Sequence, residues 1–335
     1  VSQHDLNIAN QGMAAGRGDL NNALVALAST SKGPSRPSGA VAGQFWIDDD
    51  TPSATLWTLM LFDGSDDIPV AYIDSSANIF YAFPVTKQIQ GLSIANNGAD
   101  AANDIDVTPG IARAESNDDS LLLTATLVKR LDAAWAVGTN QGGIDTGAEA
   151  ASTVYAVWLI KRPDTGVVDA LFSTSFTAPT MPTNYTKKRL IGMIRNDAAL
   201  AISTFVQQGD YFRYTGVLVN DVADATITDD VFETIAIAAP PNSLAHIYVR
   251  ASSADETAFL MRVHVRRAGS GDTAVTTQAT IQLQLSAGAG RDIGKDTMVM
   301  TDASRQIDYA ANETAGTVTV TVATIGFLML TRSNP

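Results

Sequence analysis

Chemistry at a protein site needs nucleophilic, titratable or metal-ligating side chains at a workable spacing, and this chain offers few. It contains no cysteine and three histidines. That removes disulfides, thiolate metal sites, iron–sulfur clusters and cysteine nucleophiles. His4, His246 and His264 are far apart and show no paired ligand spacing. Acidic turns at Asp48–Asp50, Asp63–Asp67 and Asn103–Asp106 carry oxygen ligands suited to Ca²⁺. None follows the calcium-loop spacing, and solvated turns explain them, so no metal or cofactor is assigned.

Catalytic patterns are equally sparse. Ser286–Asp296 resembles a phosphate loop, but Ala289 stands where glycine is needed and Asp296 where serine or threonine is needed. No Gly-x-Ser-x-Gly elbow is present. Distant carboxylates can converge for glycoside cleavage, yet nothing in the spacing singles out a pair. The chain reads as a non-enzyme with no catalytic residue. Arg17-Gly18-Asp19 matches the tripeptide read by integrins, but Asp19 is better explained as a helix N-cap or first-turn acid. Tyr155, Trp158, Tyr185, Tyr211, Phe212 and Tyr214 could stack on a sugar ring. Core or subunit-contact positions are the commoner fate of such aromatics.

The elements that would position any site follow from composition. Of 35 acidic residues, 30 are Asp and 5 are Glu. Asp favours caps and turns over helix interiors, so a mainly β chain is predicted. A net charge of -13 argues against a wide phosphate-binding surface, and no nucleic-acid partner is expected. No apolar run approaches the ~18–20 residues of a membrane span, so no membrane insertion is expected. Val1–Asp5 lacks a basic segment leading into an apolar block, and no signal peptide is expected. At 335 residues the chain exceeds what one core of roughly 250–300 residues fills, which predicts two or three folded units.

Residues 1–30 hold the one amphipathic helical segment, with Met13, Leu20, Leu24 and Leu27 on one face. A helix this short is marginal alone, so this stripe is the candidate assembly and anchoring surface, its partner a copy of itself. Ser29–Gly43 reads as a Ser/Pro/Gly linker acting as a hinge. A small β unit follows to residue 83, with Trp46, Trp57 and Phe62 in need of cover from neighbouring subunits. Regularly spaced strand patterns then predict two jelly-roll-like β-sandwich modules, 84–215 and 216–335. Within the first, Leu127–Trp135 reads as a short helix or an irregular arm. Arg262, His264 and Arg266 alternate with Met261, Val263 and Val265, the period of a half-buried strand.

Several long strings are more specific than any of these patterns. Gln3-His4-Asp5, Ile8–Gln11 and Arg17–Leu24 resemble the opening of tailed-bacteriophage fibre and tail proteins, as does the strand unit at Ala42–Asp48. Lys129–Gly138, Gly142–Gly147, Lys161–Ser173 and Lys188–Gly192 resemble a phage virion module, closed by Ala323–Leu328. That family usually carries Trp after the glycine of the last strand, where this chain has Phe327.

The resemblance implies a virion structural protein, a homotrimeric tail fibre or spike. Its N-terminal segment, 1–30, would dock on other virion tail or head proteins. Its distal β-modules are the candidate contact with a host cell-surface glycan. It implies no catalytic residues. A head or collar fibre or decoration protein without a receptor role is the alternative. A polysaccharide-degrading tailspike is a weaker one, since no repeat period of a β-helix is visible.

Overall fold

The computed structural model describes residue 4 and residues 11–83, 88–216, 219–227, 231–253, 259–271, 281–285, 291–313 and 318–329. The phosphate-loop-like segment lies outside these residues at 286–290. The protein is mainly β, with one N-terminal helix among the described residues. Two compact units are present: residues 1–85 with 164–167, and residues 86–163 with 168–335.

The first unit holds helix α1 (Met13–Ala28) and four strands: β1 (Phe45–Asp48), β2 (Leu56–Phe62), β3 (Asp67–Asp74) and β4 (Ile79–Ala82). The strands pair antiparallel in chain order, joined by the Asp-rich turns read from the sequence. Asp63 and Asp74 each accept backbone N–H groups of the following turn, at 2.7–3.0 Å, the hydrogen bonds that make Asp a turn former. Trp46 and Phe62 are buried and Trp57 partly so within the single chain, so the first two do not require a neighbouring subunit. The Trp46 indole N–H donates to Asp67 Oδ1 at 2.9 Å.

The Ser/Pro/Gly segment is tied to the strands that follow it. Gly33 N–H donates to the Ile47 carbonyl at 2.9 Å and Gly43 N–H to the Phe62 carbonyl at 2.7 Å. Lys32 and Arg36 lie 4.1 Å over the rings of Trp57 and Phe62. Both cations of the segment are thus seated on aromatic faces.

The second unit opens with β5 (Ile89–Gly91), β6 (Ile94–Asn96), β7 (Asp104–Val107), β8 (Gly110–Arg113), β9 (Ser120–Leu123) and β10 (Leu127–Ala134). It continues through β11 (Gln141–Ile144), β12 (Val154–Lys161), β13 (Val168–Ser173), β14 (Lys187–Arg195), β15 (Phe205–Gln208) and β16 (Tyr211–Tyr214). Next come β17 (Val219–Thr226), β18 (Glu233–Ala236), β19 (Leu244–Ser253) and β20 (Phe259–Arg267). The last are β21 (Ile281–Leu285), β22 (Arg291–Met300), β23 (Gln306–Glu313) and β24 (Val318–Leu328).

A seven-stranded sheet runs β14-β12-β13-β11-β10-β7-β6. Its strand β12 is buried at every position. Tyr155, Val157 and Leu159 face the main core, while Ala156, Trp158 and Ile160 pack in a second cluster with Leu171 and Tyr185. Cover on both faces is what an unbroken apolar run requires. A second sheet runs β15-β16-β24-β19-β22, with β17 also on β24. Smaller sheets are β18-β23-β20-β21 and β5-β8-β9.

The boundary expected near residue 215 does not separate two cores. β16 pairs with β24, Phe212 opposite Phe327, and one buried cluster runs from Leu92 to Met329. Chain order suggested two modules because the closing strand returns more than a hundred residues later. Gly326 permits that closure: a Cβ there would stand 2.2 Å from the Phe212 carbonyl oxygen.

Leu127–Trp135 is neither a helix nor an arm; strand β10 occupies Leu127–Ala134. Leu127, Lys129 and Leu131 point inward, a period of two. A lysine at an inward position hid that period.

Candidate functional site: the N-terminal helix face

Helix α1 begins six residues before Asp19, with Gly12 as its N-cap and no acidic residue in its first turn. The expected cap is therefore corrected: Asp19 sits inside the helix. Its carboxylate lies 2.8 Å from His4 Nε2, and Gln11 Nε2 donates to its other oxygen at 3.2 Å. Gly16 and Gly18, poor helix formers, lie within the first two turns. The Arg17-Gly18-Asp19 tripeptide is thus regular helix with its acid engaged.

At the other end, Thr30 and Ser31 take left-handed φ values of 52° and 50°. Ser31 N–H reaches back to the Ala26 carbonyl and Thr30 N–H to that of Leu27. This satisfies carbonyls that the helix end would leave open.

The helix buries its small residues, not its large ones. Ala23 and Ala26 are covered and Gly16 and Asp19 partly so, a single face at 3.6-residue spacing. Met13, Leu20, Leu24 and Leu27 lie roughly a quarter-turn round the helix. All four are exposed, Met13 at 94% and Leu24 at 55%. Leu27 also borders a groove of about 430 Å³ with Val41 and Phe45. Of the sixteen exposed large hydrophobic side chains among the described residues, eleven belong to the first unit. Large exposed apolar patches are a general mark of interaction surfaces.

The sugar-stacking candidates are mostly structural. Tyr155, Trp158, Tyr185, Phe212 and Tyr214 are buried, and Tyr211 alone of the six is partly exposed. Tyr211 Oη lies 2.8 Å from His246 Nδ1. His264 is buried on β20, its ring 5.8 Å from that of Phe232. Arg266 of the same strand stacks 3.6 Å over Phe232 and pairs with Asp308 at 3.0 Å. Of the polar positions read from this strand, His264 is buried and Arg262 and Arg266 are half-buried.

Two features of the second unit carry no signal in the sequence. One is an ion pair between Lys129 and Asp169. The other is a pocket that gathers Glu115, Arg189 and Asn242 from three distant stretches. Among the described residues no helix is long and apolar enough to cross a membrane.

No family model and no curated protein matches the chain. Among solved structures, an exo-β-1,3-galactanase from Phanerochaete chrysosporium with galactose is 12% identical. That match covers 87% of this chain and 70% of the other, with a TM-score of 0.18. A T13 IBDV viral particle is 8% identical over 82% of this chain and 62% of that chain, with a TM-score of 0.23. The chain thus spans less than two thirds of the viral one. At these TM-scores neither likeness bears on fold or activity.

Proposed function

We propose that this chain is a structural protein of a bacteriophage virion, a homotrimeric tail fibre or spike held to the particle through its N-terminal unit. The observation that carries the reading is the exposed Met13, Leu20, Leu24 and Leu27 stripe beside a buried alanine face. A helix that covers its alanines and leaves its leucines in water gains most by packing against further copies of itself. Three equivalent chains bury such a seam with closed symmetry. The resemblance of residues 1–48 and 127–195 to phage fibre and tail proteins supplies the setting.

In this reading the pinned segment at 31–43 makes the helix and the small sheet one docking body. Other virion proteins are its partners, and the larger β unit is the part that meets the host surface glycan. No reaction is assigned to the chain. Immunogold electron microscopy of phage particles from the source culture tests the proposal. Label at the tail is the expected result, and label at the collar selects the decoration role. Unlabelled particles, with the protein confined to cell debris, overturn the virion assignment.

A further inference from the structure

We propose that the second unit binds a single neutral sugar ring in the pocket formed by Glu115, Arg189, Phe176 and the turn at Pro240–Ser243. The pocket encloses about 240 Å³. That is below the ~300–1,000 Å³ of sites for drug-sized ligands, and admits one ring.

Two kinds of surface meet there. Phe176, Leu190 and Pro240 present apolar faces, on which the C–H face of a pyranose can lie. Three polar groups with different hydrogen-bonding roles line the same pocket. The Arg189 guanidinium only donates, the ionised Glu115 carboxylate only accepts, and the Asn242 amide does both. Arg189 is 5% exposed, so its planar fork is held in position instead of sweeping through solvent. Glu115 is partly exposed and lies 3.7 Å from Lys188 Nζ. Burial pushes its carboxyl up, against the pull of the Lys188 and Arg189 charges.

The turn is built before any ligand arrives. Asn242 takes φ 50°, and its N–H donates to the Asp302 carbonyl at 3.0 Å. The Ser243 hydroxyl donates to the Pro240 carbonyl at 2.7 Å, and its N–H donates to Thr301 Oγ1 at 3.0 Å. Little ordering is therefore left to oppose binding.

Charge selects the ligand class. A carboxylate would gain from Arg189 but face Glu115, whose charge Lys188 partly offsets, and a cation would meet the reverse. A ring of hydroxyls can accept from Arg189, donate to Glu115 and lay its apolar face on Phe176, Leu190 or Pro240. The inference stands apart from the trimer reading, because the pocket is formed within one chain.

Saturation-transfer NMR on the full chain tests it, with glucose, galactose, mannose and N-acetylglucosamine as probes and acetate as an anion control. The mass of the same sample is measured alongside, so that loss of assembly and loss of binding are read separately. The expected result is binding of at least one sugar with a dissociation constant on the order of millimolar, and no competition by acetate. Glu115→Ala, at a half-exposed residue, and Asn242→Gly, at a left-handed position that glycine accepts, should each weaken it about tenfold. Absence of binding by all four sugars overturns the proposal. So does binding unchanged in both variants, or displacement by acetate.

Discussion

Lys129 Nζ lies 3.1 Å from Asp169 Oδ1, and neither side chain reaches solvent. The pair joins β10 and β13 in the interior of the second unit. Asp169 also accepts the N–H groups of Gly138 and Ala170, at 2.7 and 2.6 Å, and Lys129 donates to the Ala136 carbonyl at 2.7 Å. Burial pushes the Asp169 carboxyl up and the Lys129 amine down, and each charge opposes the shift of the other.

Removing one partner strands the other without its counter-charge. Lys129→Met should therefore lower the stability of the second unit by about 3–5 kcal/mol. The double change Lys129→Met with Asp169→Leu should recover most of that loss, because an apolar pair of similar volume avoids the desolvation cost. Urea unfolding followed by circular dichroism checks both. A single variant as stable as the parent would contradict the account of the pair.

Asp221 gives a pH dependence with a definite sign. Burial raises its carboxyl from 3.8 to about 6, although the Thr324 hydroxyl and the Ala238 N–H donate to it. The folded value is the higher one, so the group's contribution is full below about pH 4 and is lost as pH rises through about 6. Asp221→Asn keeps an acceptor and carries no charge. The stability gained by this substitution should grow by roughly 1–3 kcal/mol between pH 4 and 7. Paired denaturation curves across that window measure it, and a constant difference would refute it.

In the first unit, Asp67 serves the Trp46 indole N–H and pairs with Arg36 at 3.4 Å. Asp67→Ala leaves a buried donor unmatched and should cost about 1–3 kcal/mol. Tryptophan fluorescence against urea reports the loss.

The β character of the chain was legible in its Asp-over-Glu bias and its turns, and the leucine stripe was legible in its spacing. What escaped was set by contacts between distant residues. Asp19 looked like a cap because glycines precede it, but the helix runs through Gly16 and Gly18. Strand β10 was hidden by Lys129, whose inward position is tolerable only because Asp169, forty residues later, neutralises it. The closing of β24 on β16 depends on Gly326 fitting beneath the Phe212 carbonyl, and no local pattern encodes that fit. Glu115, Arg189 and Asn242 each sit in an ordinary polar context, and only the fold brings them to one pocket.

Gly326→Ala tests the closure that unites the second unit. The added methyl meets backbone at 2.2 Å, where no flexible side chain can give way. A loss of about 1–3 kcal/mol is expected, with weakened hydrogen-exchange protection in both 211–214 and 326–328. Protection lost at one strand alone would argue that the two are not coupled.

The central claim, self-association through the helix face, is tested most directly by native mass measurement of the full chain at micromolar concentration, beside its Leu24→Asp variant. The account predicts a parent species of three times the 35.2 kDa chain mass. It predicts a variant shifted toward the single chain, because an unpaired charge would be buried at the seam. A parent that stays at 35.2 kDa, or a trimer that survives Leu24→Asp intact, would contradict it.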